Sequence, residues 1–187
     1  IENAWIAAYR NTLAYYAERC VPGVILGDED CRAFYLKYMD FYADHYAEYA
    51  PHGKWVGKGK VLAQSLDEAI WAMTLARGLY ACRDFIPAET RADWYRRWFY
   101  PMAEFLLPQA NRIHNISLWI VCAVGAIAVC FDDADLLDRA LNALRMNPVP
   151  ADVRELMFKV KKAQGTDIAR SFCGLNDHRN LKLSVEY

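Results

Sequence analysis

The amino-acid sequence predicts an all-α protein built from antiparallel helical hairpins. Apolar residues recur at spacings of three and four positions almost throughout the 187 residues, which is the period of amphipathic helices. No stretch shows the sustained alternation of apolar and polar residues that a half-buried strand needs. Because 55% of the residues are hydrophobic, the chain can bury one sizeable core, and we expect a single helical domain over residues 1–187.

Seven helices are expected, joined by connections short enough to favour antiparallel neighbours. They cover residues 2–20, 28–49, 65–84, 88–108, 115–131, 133–146 and 150–163. Asp28 can cap the second helix with its carboxylate. Ser65 and Glu68 have the spacing of a capping box at the start of the third. Pro101 predicts a break in the fourth, because proline lacks the N–H that a helix interior uses.

The charge balance excludes a strong overall positive charge that would attract polyanions. The 22 basic and 23 acidic residues nearly cancel, so neither nucleic acid nor a membrane surface is an expected partner. The apolar run from Leu118 to Phe131 is shorter than the roughly 20 residues that a membrane span needs. We therefore expect it to form a buried helix.

Cysteine usage indicates neither disulfides nor a metal site. The six cysteines are Cys20, Cys31, Cys82, Cys122, Cys130 and Cys173. They form no CxxC pair, and no histidine lies at the spacing of a zinc site. We expect reduced, buried thiols, no metal ion and no cofactor, which favours the cytoplasm. No signal peptide is visible, but the sequence begins with Ile1, and a removed leader would place the protein in the periplasm instead.

Tyrosines form a stripe along one face of the second predicted helix. They are Tyr35, Tyr38, Tyr42, Tyr46 and Tyr49, at spacings of three and four. Aromatic stripes on helices usually pack against a neighbouring helix, so we expect core packing here. The alternative is a wall on which sugar rings stack.

A long glycine-rich loop, within "APHGKWVGKGKVLAQSLDEAIW" at residues 50–71, precedes the third helix. Its lysines surround one aromatic residue, Trp55. The loop lacks the spacing of a phosphate-binding P-loop, and no strand precedes it. One interpretation is a solvated connection. The other is a mobile basic flap over an anionic ligand, in which Lys58 binds charge and Trp55 stacks on a sugar ring.

Four polar side chains stand directly before the apolar run, where a helix cap needs one. They are Asn111, Arg112, His114 and Asn115. Asn115 is a suitable cap, but capping does not explain the others. A helix N-terminus offers free N–H groups and partial positive charge to a carboxylate, and a guanidinium and an imidazole add to both. With Trp119 one turn further on, this position suits a uronic-acid carboxylate.

Two segments resemble a known family. "YAEYAPHGKWVGKGKVLAQSLDEAIW" and "NRIHNISLWIVCAVGAIAVCFDDADLLDRAL" are similar to the N-terminal helical toroid of heparinase II/III-like and alginate-lyase-like polysaccharide lyases, over about residues 45–146. The resemblance implies an α/α toroid, at least in part, that binds an anionic polysaccharide. It also implies cleavage of a uronate polymer, of heparan or alginate type, by β-elimination.

The resemblance also implies roles for individual residues. His114 and Asn115 would be catalytic and hold the substrate carboxylate, with His114 a possible base. Gln64 and Glu68 would line or brace the groove, and Arg112 would add positive charge; these three assignments extend the family motif by proximity.

The sequence departs from the family in its last part. The family places a catalytic tyrosine well after the Asn/His motif, whereas no tyrosine lies between Tyr100 and Tyr187 here. Residues 147–187 no longer resemble the family. The chain is then either part of a longer lyase or a shortened relative. The alternatives are an inactive carbohydrate-binding or structural toroid, and a helical protein-interaction domain. The oligomeric state is not indicated.

Overall fold

The computed structural model describes residues 2–53, 57–111, 115–143 and Lys159, without the side chains of residues 2–11. The chain divides into two compact units, Ile1–Leu144 and Arg145–Tyr187. The second unit, apart from Lys159, and with it the predicted seventh helix, lies outside the described residues. The fold below is that of the first unit.

Helices make up most of the described part of the first unit. They are α1 (Glu2–Leu26), α2 (Glu29–His45), α3 (Ser65–Cys82), α4 (Ala88–Trp94), α5 (Tyr100–Leu106), α6 (Asn115–Cys130) and α7 (Ala134–Ala143). Apart from an isolated bridge between His52 and Gly59, the described residues contain no β-structure. The all-α prediction is confirmed.

Two prolines behave differently from expectation. The first helix continues through Pro22 to Leu26, beyond its predicted end. Val21 and Val24 on the same segment are buried, and this packing offsets the backbone hydrogen bond that the proline removes. Pro101 does not break the fourth predicted helix. A π-helical turn, Tyr95–Phe99, joins α4 to α5 in one continuous helix, and Pro101 lies just after this turn. Such a turn is a known way for a helix to accommodate a local irregularity.

Of the caps predicted for the second and third helices, only the first is confirmed. The Asp28 carboxylate accepts a hydrogen bond from the Cys31 N–H at 2.9 Å and caps α2. The capping box at Ser65 and Glu68 was wrong, because Gln64 occupies the N-cap position without a side-chain bond. The Glu68 side chain instead binds the preceding loop, so a tertiary contact took the place of a local one.

The first two helices form an antiparallel hairpin that packs on α3. The Tyr38 hydroxyl donates to the Leu13 carbonyl at 2.6 Å and accepts from the Trp71 indole at 3.0 Å, which places these three residues at one level. Further along, Val21 of α1 faces Gly78 of α3. Leu13 to Val21 and Trp71 to Gly78 thus run in the same direction, so α1 and α3 are parallel.

Helices α3 and α6 are also parallel. Arg83, just after α3, forms an ion pair with Asp132, just after α6, at 3.8 Å. At the other end, the loop before α3 contacts Gln109, six positions before α6. Within the described residues, α1, α3 and α6 therefore form one layer of parallel helices.

The remaining helices run in the opposite direction as a second layer. Tyr42 packs on Trp71 and on Trp98, with ring centroids 5.0 and 5.4 Å apart, and so joins α2 to α3 and to the π-helical turn. Arg139 of α7 forms an ion pair with Glu104 of α5 at 2.6 Å. The described helices are thus three successive hairpins in two layers.

The core lies between these layers and is rich in aromatic residues. Three members of the tyrosine stripe, Tyr35, Tyr42 and Tyr46, are buried in it, which confirms core packing over a sugar-stacking wall. Its largest fully buried side chains also include Trp71, Trp94 and Trp98. The sequence pattern was sufficient here because helical spacing fixes which residues share a face.

The cysteines are free in the described part of the chain, but not all are buried. Cys82 and Cys130 are buried, whereas Cys20 and Cys31 are partly exposed. Cys122 is exposed, which corrects the expectation for that residue, and Cys173 lies outside the described residues. The exposed face of α6 that carries Cys122 is apolar, so hydrophobicity alone did not decide burial. No described helix is both long and apolar enough to cross a membrane.

Candidate functional site

The two motifs singled out in the sequence lie at the same edge of the parallel layer. Gln64 directly precedes α3, and Asn115 is the first residue of α6. Because α3 and α6 are parallel and packed together, their N-terminal ends lie at one end of the layer, opposite the ion pair of Arg83 with Asp132. We call this end the N-terminal edge. The structure therefore brings Gln64 and Asn115 to one edge from 51 positions apart in the sequence.

Asn115 and Trp119 are both exposed on α6, with 38% of the Trp119 surface accessible. Residues four apart on a helix share a face, so the Asn115 amide and the Trp119 indole lie on the same face of α6. The first turn of α6 contains no acidic residue, so the positive end of the helix dipole is not neutralised from within that turn.

Three of the predicted site residues lie outside the described residues. They are Trp55, and Arg112 and His114, which precede Asn115 in the sequence. Their assigned roles remain predictions.

Glu68 is fully buried, and its carboxylate holds the long loop. Its oxygens accept hydrogen bonds from the Leu62 N–H at 2.8 Å, the Val61 N–H at 3.2 Å and the Tyr46 hydroxyl at 3.1 Å. These loop N–H groups have no helix or strand partner, and a carboxylate can accept several bonds at once. Of the two roles expected for Glu68, the contacts fit bracing. With no accessible surface, Glu68 does not line a groove, and that part of the assignment is corrected.

Burial controls the ionisation of this buried pair. Burial raises the pKa of Glu68, and this effect is larger than the opposite effect of the hydrogen bonds from Leu62, Val61 and Tyr46, which lower the pKa. Burial, together with the neighbouring Glu68, raises the pKa of Tyr46 as well. The Tyr46 hydroxyl is thus buried and already donates to Glu68.

Gln109 is a loop-binding residue that sequence reasoning missed. Its Oε1 accepts from the Lys58 N–H at 2.7 Å, and its Nε2 donates to the Lys58 carbonyl and to the Phe105 carbonyl, both at 3.1 Å. Gln109 lies 51 positions after Lys58, and no local pattern marks it. Only the folded chain shows this contact.

The glycines of the long loop allow its close approach to α3. Gly57 has a φ of 87°, and a Cβ there would lie 2.0 Å from the Ser65 Oγ. A Cβ on Gly59 would lie 2.0 Å from the Leu62 carbonyl oxygen. His52 and Gly59 also pair through two backbone hydrogen bonds of 2.9 and 3.1 Å. Both described flanks of the loop are thus held in place, which argues against a flap that moves as a whole.

The two described lysines of the loop have different surroundings. The Lys60 ammonium lies over the rings of Tyr46 and Phe105, at 4.9 and 5.7 Å from their centroids. Lys58 is exposed, and no described carboxylate lies within ion-pair distance of its ammonium. Lys58 is therefore the one of the two that remains able to bind an external anion.

Two cavities lie among the described helices, and neither points to a second site. A cavity of about 260 Å³ lies between α1 and α3 beside Arg77, and one of about 390 Å³ lies between α3 and α6 beside Tyr80 and Val129. No predicted site residue lines either of them. Among the described residues, no group of three potential metal ligands converges.

Known proteins provide an independent comparison. No protein-family model matches the chain. An alginate lyase of Stenotrophomonas maltophilia is 33% identical over 105 residues, which are 54% of this chain and 14% of that protein. An exo-oligoalginate lyase of Saccharophagus degradans is 31% identical over 126 residues, which are 64% of this chain and 17% of that protein. The chain thus matches less than a fifth of the length of these relatives. Over somewhat more than half of its own length, this chain is similar to two lyases whose names refer to alginate or oligoalginate.

Proposed function

We propose that this chain contributes the N-terminal edge as the carboxylate-binding part of a polyuronate lyase that acts on alginate-type polymers. The parallel packing of α3 and α6, which brings Gln64 and Asn115 to one edge, carries the proposal. Two motifs far apart in sequence serve one ligand only if folding brings them together. The likeness to two alginate lyases supports the same reaction class.

The edge has the chemistry that β-elimination needs at the substrate carboxylate. The C5 proton of a uronate is weakly acidic until the adjacent carboxylate is neutralised, because the carbanion formed places charge on that group. The Asn115 amide, the positive end of the α6 dipole and the His114 imidazole supply this neutralisation. A base, for which His114 is the candidate, then removes the C5 proton. The C4–C5 double bond forms as the C4–O bond breaks, and an acid protonates the leaving oxygen.

The surrounding residues would bind the rest of the sugar chain. Lys58 and Arg112 provide positive charge for neighbouring carboxylates. Trp119 and Trp55 offer aromatic faces on which sugar rings stack. Gln64 contributes an amide beside the first turn of α3.

The helix arrangement supports a toroid as part of this proposal. Three successive hairpins with parallel helices in one layer and antiparallel partners in the other are what an arc of an α/α toroid requires. In such an arc the N-terminal ends of one layer surround a common groove.

A catalytically inactive binding domain is the second candidate, and one observation favours it. No tyrosine lies between Tyr100 and Tyr187, and Tyr46 at the edge is buried. We therefore expect weak or no turnover from the 187-residue chain alone. A heparan-type substrate and a protein-docking role remain alternatives that the assay below separates.

The test is loss of lyase activity without loss of fold. In the full-length protein, Asn115→Ala and His114→Ala should each abolish the ultraviolet absorbance of the new C4–C5 double bond on alginate. Asn142→Ala, which removes an exposed amide on α7, is the matched control and should retain activity. Heparan-type and other glucuronate polymers should be assayed in parallel. If both variants lose stability but keep full activity, Asn115 is only a helix cap and the proposal fails.

A further inference from the structure

We infer that Gln109 is a positioning residue for substrate binding, which holds Lys58 so that its ammonium meets a carboxylate of the bound polyuronate. This inference rests on the proposed function. It assigns a role to a residue outside both sequence motifs, which acts through the backbone of another residue and need not touch the sugar itself.

The Gln109 amide has only one satisfied orientation. Its oxygen faces the Lys58 N–H at 2.7 Å, and its nitrogen faces the carbonyls of Lys58 and Phe105, each at 3.1 Å. Reversing the amide would put two donors together and place an oxygen against two carbonyl oxygens. The bond to Phe105, one turn earlier, fixes the side chain on its own segment. Gln109 thus forms hydrogen bonds with both the N–H and the carbonyl of Lys58, and its own side chain is held by the bond to Phe105.

Lys58 needs these hydrogen bonds to its backbone because glycines flank it on both sides. Gly57 and Gly59 lack side chains and give the backbone more freedom than other residues would. An ammonium on a mobile backbone loses more conformational entropy when it binds a ligand, and this lowers affinity. The two hydrogen bonds from Gln109 remove much of that freedom before the ligand arrives.

The other loop contacts do not replace this one. Glu68 binds the N–H groups of Val61 and Leu62, further along the loop. The pairing with His52 involves Gly59 rather than Lys58. Among the described residues, the hydrogen bonds to the Lys58 backbone come from Gln109. Loss of Gln109 should therefore affect Lys58 first.

A double-mutant cycle in the full-length protein tests the inference by steady-state kinetics on alginate. Lys58→Ala should raise KM about threefold with kcat unchanged, because an exposed charge contact of this kind contributes modestly and equally to ground and transition states. Gln109→Ala should raise KM by roughly the same factor or somewhat less. In the Lys58→Ala background, Gln109→Ala should add nothing, because no ammonium remains to be positioned. Lys37→Ala, which removes an exposed lysine from the middle of α2, is the charge-matched control and should leave KM unchanged.

Each outcome decides the inference or the function on which it rests. Gln109→Met keeps the side-chain length without the hydrogen bonds, and it should behave like Gln109→Ala if the bonds matter. An active wild-type enzyme whose KM is unchanged in both Gln109 variants overturns the inference alone. The inference is also overturned if Gln109→Ala raises KM by the same factor in the wild-type protein and in the Lys58→Ala variant. A full-length wild-type protein without activity on any polyuronate overturns the proposed function itself.

Discussion

Replacing the buried carboxyl of Glu68 should show how the long loop is held. Glu68→Ala leaves the Val61 and Leu62 N–H groups and the Tyr46 hydroxyl without their acceptor. A buried donor without a partner costs about 1–3 kcal/mol. The Tyr46 hydroxyl can rotate, and removal of a buried ionisable group offsets part of the loss. We therefore expect a decrease of about 2–4 kcal/mol in the free energy of unfolding.

Glutamine in place of Glu68 should have a much milder effect than alanine. Its amide has the shape of the carboxyl and keeps one acceptor oxygen. The amide that Glu68→Gln introduces can accept from the loop N–H groups and donate to the Tyr46 oxygen, so we expect a loss of about 1 kcal/mol or less.

The sign of the pH dependence follows from the raised pKa of Glu68. Because burial raises the pKa of the folded carboxyl above its ordinary value, the folded protein holds a proton that the unfolded chain releases. The stability that depends on Glu68 is thus greatest below the ordinary carboxyl pKa, and it falls as the pH rises through the folded pKa. Glu68→Gln cannot ionise and should remove this part of the pH dependence.

Urea unfolding followed by circular dichroism at several pH values measures both effects. For a protein of this size, the Glu68→Ala loss corresponds to a Tm lower by about 4–16 °C in a thermal scan. Glu48→Ala removes an exposed carboxylate near the end of α2 and is the control that should leave the urea midpoint unchanged. If Glu68→Gln is as destabilising as Glu68→Ala, the amide does not take over the hydrogen bonds of the carboxyl, and our account of how the loop is held is refuted.

Further predictions concern the loop, the thiols and the proposed site. Gly57→Ala should destabilise the protein by about 1–3 kcal/mol more than Gly27→Ala in urea unfolding, because both have a positive φ but only Gly57 would place its Cβ against another side chain. Under native conditions, a thiol reagent at alkaline pH should label the exposed Cys122 and spare Cys130, whose pKa burial raises to about 12; equal labelling by mass spectrometry would contradict the packing of α6. Added salt should raise the KM for alginate in the full-length protein through charge screening, and an unchanged KM between low and high salt would argue against binding by lysines. Asn115→Ala should lower the free energy of unfolding by about 1 kcal/mol at most while turnover is lost, so a larger decrease would indicate a structural role.

The sequence by itself determined the helices, their hairpin connections and the residues of the core face. Helical spacing placed Tyr35, Tyr42 and Tyr46 in the core, and the polar residues before the apolar run marked the start of α6 at Asn115. These features depend on the helical period and on contacts within a few residues of chain, which a linear pattern contains.

Only the tertiary structure decided how the loop is held and which side chains remain available. Glu68 has a capping-box spacing, but it turned to loop N–H groups that had no other buried acceptor. Gln109 pairs with Lys58 from 51 positions away, and Pro22 stays helical because its neighbours are buried. Each of these outcomes depends on which polar groups are left without a partner once the helices pack. That is a property of the folded arrangement, and a pattern of neighbouring residues does not contain it.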